Sequence, residues 1–427
     1  MDNCRIVIYG AGKTAEGFLK NINKDAIVTA IVDSDEKKCG NVILGGVEVT
    51  NPRILAQKEA YDYVVVCSVY AEEIIEKIIK DYSVELRKII VANPGYYDSP
   101  DEFFATDYVN VFSIDGAGIM AGEIAGRAAK YDYWSKIDRA EAFDILLKES
   151  GLKIDLMNPE TFNDKIRYME KSHYSDLVVK CTDKYEVRKY VKYCGFEDIL
   201  VPLLGGPYES YDAIDINICK DEKTMLKCTH SCGANIAVNK DTNREYAEYF
   251  INKKLKQDIS KWFQEWHYES IKPRIICEKY LADGENERLI DYKYFCCNGK
   301  INCILACTER DERGDSRHMY YDEKWRVLDY AADEIKASHT IPAPKALQQM
   351  NKIARKLSEP FPFARVDLYD LNGKVYFGEL TFTPMGGLIS DKVQTKEAQM
   401  ILGSCIDVDY GRDLQREICE KVYGVSK

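Results

Sequence analysis

The sequence predicts an α/β domain on a doubly wound parallel sheet, followed by a larger α+β domain. Three observations carry this reading. Residues 1–98 hold uninterrupted β-branched runs separated by amphipathic stretches, the texture of parallel strands covered on both faces. Beyond about Met157 short strand-like runs alternate with helical ones. Two Asn-Gly pairs there, Asn298-Gly299 and Asn372-Gly373, sit between strand-like runs and signal antiparallel hairpins.

The elements follow in order. Arg5-Ile6-Val7-Ile8-Tyr9 reads as a first strand ending in glycine, with an amphipathic stretch from Lys13 to about Asn21. Residues 26–33, 63–67 and 88–91 supply further apolar strands, and strands separated by helices in this order imply a doubly wound sheet. Over residues 99–155, Gly116, Gly118, Gly122 and Gly126 interrupt an alanine-rich stretch and a helical segment follows from Lys136 to Lys148, so this part reads as a helical connector. Residues 156–427 form the second domain, with strands at 224–228 and 274–278 before the two hairpins.

Length and charge limit the function. A chain of 427 residues suits two or three domains with sizeable cores. Lys and Arg number 59 against 70 Asp and Glu, a net charge of −11. That balance argues against nonspecific nucleic-acid or anionic-membrane binding, which needs a basic surface. No run approaches the roughly 18 apolar residues of a membrane helix. The N-terminus enters a strand directly, without the apolar core of a signal peptide. The 15 cysteines are scattered, odd in number and never spaced Cys-x-x-Cys, which fits reduced, buried thiols in the cytoplasm. A homodimer is the commonest assembly for such a chain.

The first motif is Gly10-Ala11-Gly12-Lys13-Thr14-Ala15, G-x-G-x-x-A directly after a strand. Glycines there permit a tight turn and let a phosphate approach the helix N-terminus. Asp33 ends the second strand where a ribose-binding carboxylate belongs. A Walker P-loop would need glycine where Val7 stands, so it is excluded. The bland alternative is a tight turn beside an empty cleft. The domain resembles the small Rossmann-like sugar-nucleotide-binding domains fused to polysaccharide-modifying enzymes. That resemblance implies a nucleotide sugar, favoured over NAD, near Gly10, Gly12, Lys13 and Asp33.

The second domain carries an ordered set of charges. Lys184 is expected at the opening of a helix with Thr182 or Asp183 as its cap, and Lys227 lies on a strand. A polar turn, Thr229-His230-Ser231-Cys232-Gly233-Ala234, follows Lys227; its backbone N–H groups suit phosphate oxygens. Glu278-Lys279-Tyr280-Leu281 ends a strand, Lys293 sits in another, and Arg365-Val366-Asp367 and Glu379-Leu380-Thr381 flank the second hairpin. If those strands pair, Asp367 and Glu379 share a side and suit a hard cation such as Mg²⁺. Cys228, His230 and Cys232 invite a zinc reading, but no fourth ligand is evident.

This order of Lys, Lys, glycine turn, Glu-Lys-x-Leu, Lys, Arg-x-Asp and Glu resembles the ATP-grasp superfamily. More closely, residues from about Pro159 to Glu379 resemble the TupA-like ATP-grasp family of teichuronopeptide biosynthesis. The local matches are Asp183-Lys184-x-x-Val187-Arg188, Lys272-Pro273-Arg274, Asp291-Tyr292-Lys293 and Phe377-Gly378-Glu379-Leu380-Thr381-Phe382. The resemblance implies ATP and Mg²⁺ as cofactors, with Lys184, Lys227 and Lys293 on phosphates and Ser231 and Gly233 in a closing turn. His230 would join Arg365 and Lys293 near the reacting groups. Glu278, Lys279, Tyr280 and Leu281 would form the adenine hinge, and Asp283 or Glu285 would bind ribose. Arg365 would stabilise the charge that develops on transfer, while Asp367, Glu379 and Thr381 occupy the metal positions. Two departures stand out. Thr381 replaces the asparagine of many ATP-grasp ligases, and His-Ser-Cys-Gly-Ala replaces the family's His-Gly-Ser-Gly-Gly.

The implied activity is an ATP-dependent carboxylate–amine ligase, forming an amide through an acyl phosphate. Its substrates would be a small carboxylate such as a uronic acid, free or in a polysaccharide precursor, and an amino acid or small amine. No side-chain nucleophile is needed, since phosphoryl transfer rests on positioning and charge neutralisation. The alternatives are a nucleotide-binding regulatory protein and an ATP-dependent sugar kinase of the same fold.

Overall fold

The computed structural model describes residues 5–20, 26–43, 46–68, 71–85, 88–92, 109–111, 138–172, 174–219, 223–231, 235–240, 242, 244–256, 258–261, 263–282, 289–308 and 316–425. The chain divides into two compact units. The first is built on Met1–Leu146, and the second on Leu147–Asp241, Glu248–Asp311 and Asp315–Lys427. No described helix is long and apolar enough to cross a membrane.

The first unit is organised by a sheet of β1 (Arg5–Tyr9), β2 (Ile27–Val32), β3 (Val42–Ile43), β4 (Val47–Thr50), β5 (Tyr63–Val66), β6 (Ile89–Ala92) and β7 (Val109–Val111). The order is β3-β4-β2-β1-β5-β6-β7. Strands β4, β2, β1, β5 and β6 run parallel, whereas β3 and β7 pair antiparallel at the edges. The chain thus winds outward both ways from β1. Ile6, Ile8, Ile31 and Val65 pack with Phe18 of the helix Lys13–Lys20, all fully buried, which is why these strands read as unbroken apolar runs. Strand β7 falls within the stretch expected to be a helical connector. Three residues are too few to show a period, so only its pairing with β6 reveals it.

The second unit contains two antiparallel sheets. The smaller, ordered β10-β9-β11-β8, comprises β8 (Leu203–Tyr208), β9 (Thr224–Cys228), β10 (Asn235–Val238) and β11 (Ile275–Lys279). The larger comprises β12 (Asp291–Cys297), β13 (Lys300–Thr308), β14 (Arg317–Tyr321), β15 (Val327–Leu328), β16 (Phe363–Leu371) and β17 (Lys374–Thr381), ordered β15-β14-β13-β12-β16-β17. Asn298-Gly299 turns β12 into β13 and Asn372-Gly373 turns β16 into β17. All four residues are left-handed, at φ 50°, 72°, 56° and 91°, as two-residue hairpins of right-twisted strands require.

The larger sheet is covered on both faces. The helix Leu347–Ser358 buries Met350, Ile353, Ala354 and Leu357 against Tyr294, Cys296, Ala364, Val366 and Leu368. On the other face Phe295 and Phe363 pack with Phe162 and Ile166 of the helix Phe162–Lys171. Strand alternation puts Lys293, Arg365 and Asp367 on the face of Phe295 and Phe363. One packed face therefore passes directly into a charged one.

Candidate active site

The second hairpin builds the centre of the site. Across β16 and β17 Asp367 is partnered with Glu379 and Arg365 with Thr381, while β12 sets Lys293 opposite Asp367. Arg365 donates to Asp367 through Nε and Nη2, both at 2.7 Å. The same Nη2 lies 3.2 Å from Glu379 Oε1 and 2.9 Å from the Thr381 hydroxyl, which itself donates to Glu379 at 3.1 Å. Lys293 Nζ is 2.8 Å from Asp367, and Lys184 Nζ is 3.5 Å from Glu379. Three cations thus face two carboxylates.

Glu379 and Lys293 are each shifted toward the charged form. Burial acts to raise the half-buried Glu379 carboxyl, yet Lys184, Arg365 and Lys293 outweigh it and bring it down to about 2. Burial likewise acts to lower the Lys293 ammonium and is the largest influence on it, but Asp367, Asp291 and Cys307 together outweigh it and the net shift is upward. Two carboxylates in register with a hydroxyl beside them are hard oxygen donors, and they fit Mg²⁺. Among the described residues no group of three or more His, Cys, Asp or Glu is arranged so that it could hold a metal ion. A metal here would therefore complete its shell with phosphate oxygens and water.

A cleft of about 270 Å³ is lined by Val201, Met225, Lys227, Glu278, Lys279, Tyr280, Leu281, Leu289, Asp291 and Tyr369. It gathers the expected hinge residues and Lys227. Glu278 is buried at its edge, bonded to Lys227 Nζ at 2.8 Å and to Arg188 Nη1 at 2.9 Å. Arg188 also donates to Val201 O at 2.9 Å, so it ties the helix Val187–Tyr193 to two cleft residues. Lys279 N–H donates to Pro202 O and Tyr280 N–H to Lys223 O. A base entering the cleft would therefore find these two amides already engaged.

Lys184 does not open a helix. Asp183 Oδ1 accepts the N–H groups of Tyr185 and Glu186 at 2.8 and 3.1 Å, so it caps a turn, and the helix begins only at Val187. Lys184 stays on that turn, where its N–H bonds Thr229 O and its Nζ bonds Ser231 O at 2.7 Å. Ser231 and His230 are both buried after β9. Gly233, Asp283 and Glu285 lie outside the described residues, as does the remainder of the glycine turn.

The first unit holds the Gly10–Gly12 motif between β1 and its helix. Gly10 has φ 103°, and a Cβ there would lie 2.5 Å from Cys67 O, so that glycine serves the fold. A Cβ at Gly12 would meet nothing within 4 Å. Asp33 accepts the Ala11 N–H at 2.9 Å and the Asp35 N–H at 2.9 Å, and Lys38 Nζ lies 3.2 Å away. Its carboxylate braces the glycine turn, and a ribose would have to share it. Lys13 stands in the first turn of the helix Lys13–Lys20.

Sequence reading gave no role to Arg188, Asp291 or Tyr369. Arg188 stood within a matched motif, but its partner Glu278 is 90 positions away. Only the fold brings them together.

Comparison with known proteins follows the same division. The family model for TupA-like ATP-grasp matches residues 163–407, more than half of the chain. The model for the C2185-like N-terminal domain matches residues 2–90. No curated protein matches the chain. Among solved structures, D-alanine–D-alanine ligase from Bacillus anthracis complexed with ATP is 10% identical and covers 98% of this chain and 100% of its own, with TM-score 0.33. N5-carboxyaminoimidazole synthase from Aspergillus clavatus is 10% identical, covering 89% of this chain and 70% of its own at TM-score 0.28. UDP-D-quinovosamine 4-dehydrogenase from Vibrio fischeri is 21% identical, covering 21% of this chain and 79% of its own at TM-score 0.18. Likenesses this distant say nothing of what the chain does.

Proposed function

The chain belongs to the TupA-like ATP-grasp family, and on that footing we propose that it is an ATP-dependent carboxylate–amine ligase. One observation carries the reading: Asp367 and Glu379 face each other in register with Arg365, Lys293 and Lys184 around them. Carboxylates for a metal beside cations for phosphate are what phosphoryl transfer asks of a protein.

The roles follow from position. The adenine half of ATP would lie in the cleft of Val201, Tyr280 and Leu281, with Lys227 directed at its phosphates. Asp367 and Glu379 would hold Mg²⁺, which would supply neutralisation of phosphate charge. Arg365 and Lys293 would turn from Asp367 to face the transferred phosphoryl group. A carboxylate oxygen of the substrate takes the γ-phosphoryl group and ADP leaves. The amine nitrogen then attacks the acyl carbon, phosphate departs with the C–O electron pair, and the amine proton passes to solvent. Low-dielectric surroundings strengthen each of these electrostatic contacts.

We read the parallel sheet of the first unit as Rossmann-like, with a nucleotide sugar rather than NAD at the Gly12 side of the β1 turn. The acid would then be a uronic acid of a surface-polysaccharide precursor, joined in the cytoplasm to an amino acid or small amine. A non-catalytic nucleotide binder is the second reading, favoured by the full engagement of Arg365 with Asp367, Glu379 and Thr381.

The test is incubation with Mg-ATP, hydroxylamine and a panel of uronic and UDP-uronic acids, read by mass spectrometry. Hydroxylamine intercepts an acyl phosphate whatever the natural amine. A hydroxamate that disappears in Asp367→Asn supports the ligase and identifies the acid. Calorimetric ATP binding without hydroxamate from any acid favours the non-catalytic reading, and a protein that binds no ATP sinks both.

A further inference from the structure

A second set of charged side chains is buried in the second unit, on and around the helix Phe162–Lys171. Arg167, on the helix Phe162–Lys171, is fully buried. Its Nη1 donates to two carbonyls of different segments, Phe263 O at 2.8 Å and Gly386 O at 2.9 Å. Glu170 and Glu265 are buried around it. Glu170 accepts the Trp266 N–H at 2.5 Å and faces His267 Nδ1 at 3.1 Å, while Glu265 accepts the Thr383 hydroxyl. The Tyr174 hydroxyl reaches Phe382 O at 3.4 Å.

These contacts converge on the segment that follows β17. Met385, Gly386 and Gly387 are all left-handed, with φ 51°, 63° and 66°. A methionine in that region persists only where its surroundings hold it. A Cβ on Gly386 would lie 2.6 Å from Phe263; one on Gly387 would lie 2.7 Å from Ile166 and 3.0 Å from Arg167. The turn is pressed flat against the helix that carries Arg167. Two and four residues before Thr383, the same strand carries Thr381 and Glu379. A buried ion network adds little stability over apolar packing.

We propose that Arg167 is a positioning residue for phosphoryl transfer. By clamping the Gly386 carbonyl it fixes the 383–387 turn, and with it the end of β17 that carries Glu379 and Thr381, as the rigid rim against which the substrate carboxylate is phosphorylated. The inference rests on the ligase reading. No member of the cluster lines the cleft of Lys227, Tyr280 and Tyr369, so its loss separates binding from chemistry.

The experiment compares Arg167→Met, Arg167→Lys and Thr383→Val with the parent full-length protein. Calorimetry gives the ATP Kd, hydroxylamine trapping gives the acyl-phosphate rate, and amide exchange reports the peptide around 381–389. The Gly386 N–H bonds Thr383 O and the Leu388 N–H bonds Met385 O, so both report the turn directly. The expected result is an ATP Kd within about threefold of the parent, a trapping rate at least tenfold lower, and faster exchange at both amides. Unchanged exchange in Arg167→Met, or a trapping rate lost only in step with ATP affinity, overturns the proposal. Should Arg167→Met not fold, the other two variants carry the same comparison. A parent that gives no hydroxamate defeats the ligase reading, and exchange at Gly386 and Leu388 still decides whether the clamp exists.

Discussion

Asp367 and Glu379 stand opposite each other in register across β16 and β17, and one guanidinium, that of Arg365, bonds both. Each carboxylate also faces a lysine, Lys293 and Lys184 respectively. The two acids are therefore compensated by the same cations that the proposed transfer would use on phosphate. Glu379→Gln leaves Lys184 and Arg365 without a shared anion and removes a proposed metal ligand. A loss of about 100-fold or more in acyl-phosphate formation is expected, roughly 3 kcal/mol in barrier height. Mn²⁺ binding followed by electron paramagnetic resonance in the presence of ATP should weaken in parallel. Parent-like Mn²⁺ binding would remove Glu379 from the metal site.

Thr381 accepts from Arg365 and donates to Glu379, so its hydroxyl links the guanidinium to the carboxylate. Thr381→Val keeps the shape and removes both bonds. Acyl-phosphate formation is expected to fall about tenfold, the scale of one or two hydrogen bonds to charged groups. Thr381→Asn restores an amide oxygen and is expected to hold Mn²⁺ more tightly than Thr381→Val. Equal metal affinity in the two variants would show that position 381 does not act on the metal side.

Arg188 and Lys227 hold the two oxygens of buried Glu278. Arg188→Ala leaves Lys227 as the counter-ion of a desolvated carboxylate, which would draw its ammonium away from the phosphates it is proposed to meet. The ATP Kd should rise about tenfold by calorimetry, with Glu278→Gln in the Arg188→Ala background recovering part of the loss. An additive double variant would mean that the two residues act independently.

Local signals and their limits explain what the sequence revealed. Asn298-Gly299 and Asn372-Gly373 announced their hairpins because only a few residues tolerate the left-handed pair such turns need. Asp367 and Glu379 were legible for the same reason, since the hairpin between them dictates their register. Arg188 with Glu278, and Arg167 with Phe263 and Gly386, were not, because each pair joins segments about 90 or more positions apart. Asp183 has the side chain of a helix cap, which predicts a helix opening at Lys184. It does cap, but what it closes is the turn before the helix.

Glu265 provides a pH test that needs no substrate. Burial lifts its carboxyl to about 7 from an ordinary 4.5, with Glu170 adding to the rise and His267, Thr383 and Arg167 opposing it. Between those two values the folded chain binds more protons than the unfolded chain, so Glu265 lowers stability progressively as pH rises. Glu265→Gln removes that titration. It should match the parent at pH 5 and exceed it at pH 8 by roughly 1–3 kcal/mol in urea unfolding of the second unit. A difference that does not change between pH 5 and pH 8 would place the Glu265 carboxyl in its ordinary range.

Gly10 and Gly12 belong to one motif but answer to different constraints, and the difference separates fold from ligand. Gly10→Ala forces φ 103° on a residue with a Cβ and drives that Cβ to within 2.5 Å of Cys67 O. The first unit should lose about 2–4 kcal/mol, the scale of combined backbone strain and overpacking. Gly12→Ala meets open space and no left-handed φ, so it should leave unfolding of that unit unchanged within about 0.5 kcal/mol. A phosphate seated on this turn needs the backbone to come close, and a methyl at position 12 obstructs it. If the proposed nucleotide sugar sits there, Gly12→Ala should weaken UDP-sugar binding at least tenfold by calorimetry while the melting temperature holds. If the parent binds a UDP-sugar and Gly12→Ala binds it equally well, the ligand sits elsewhere and the glycines serve the turn alone.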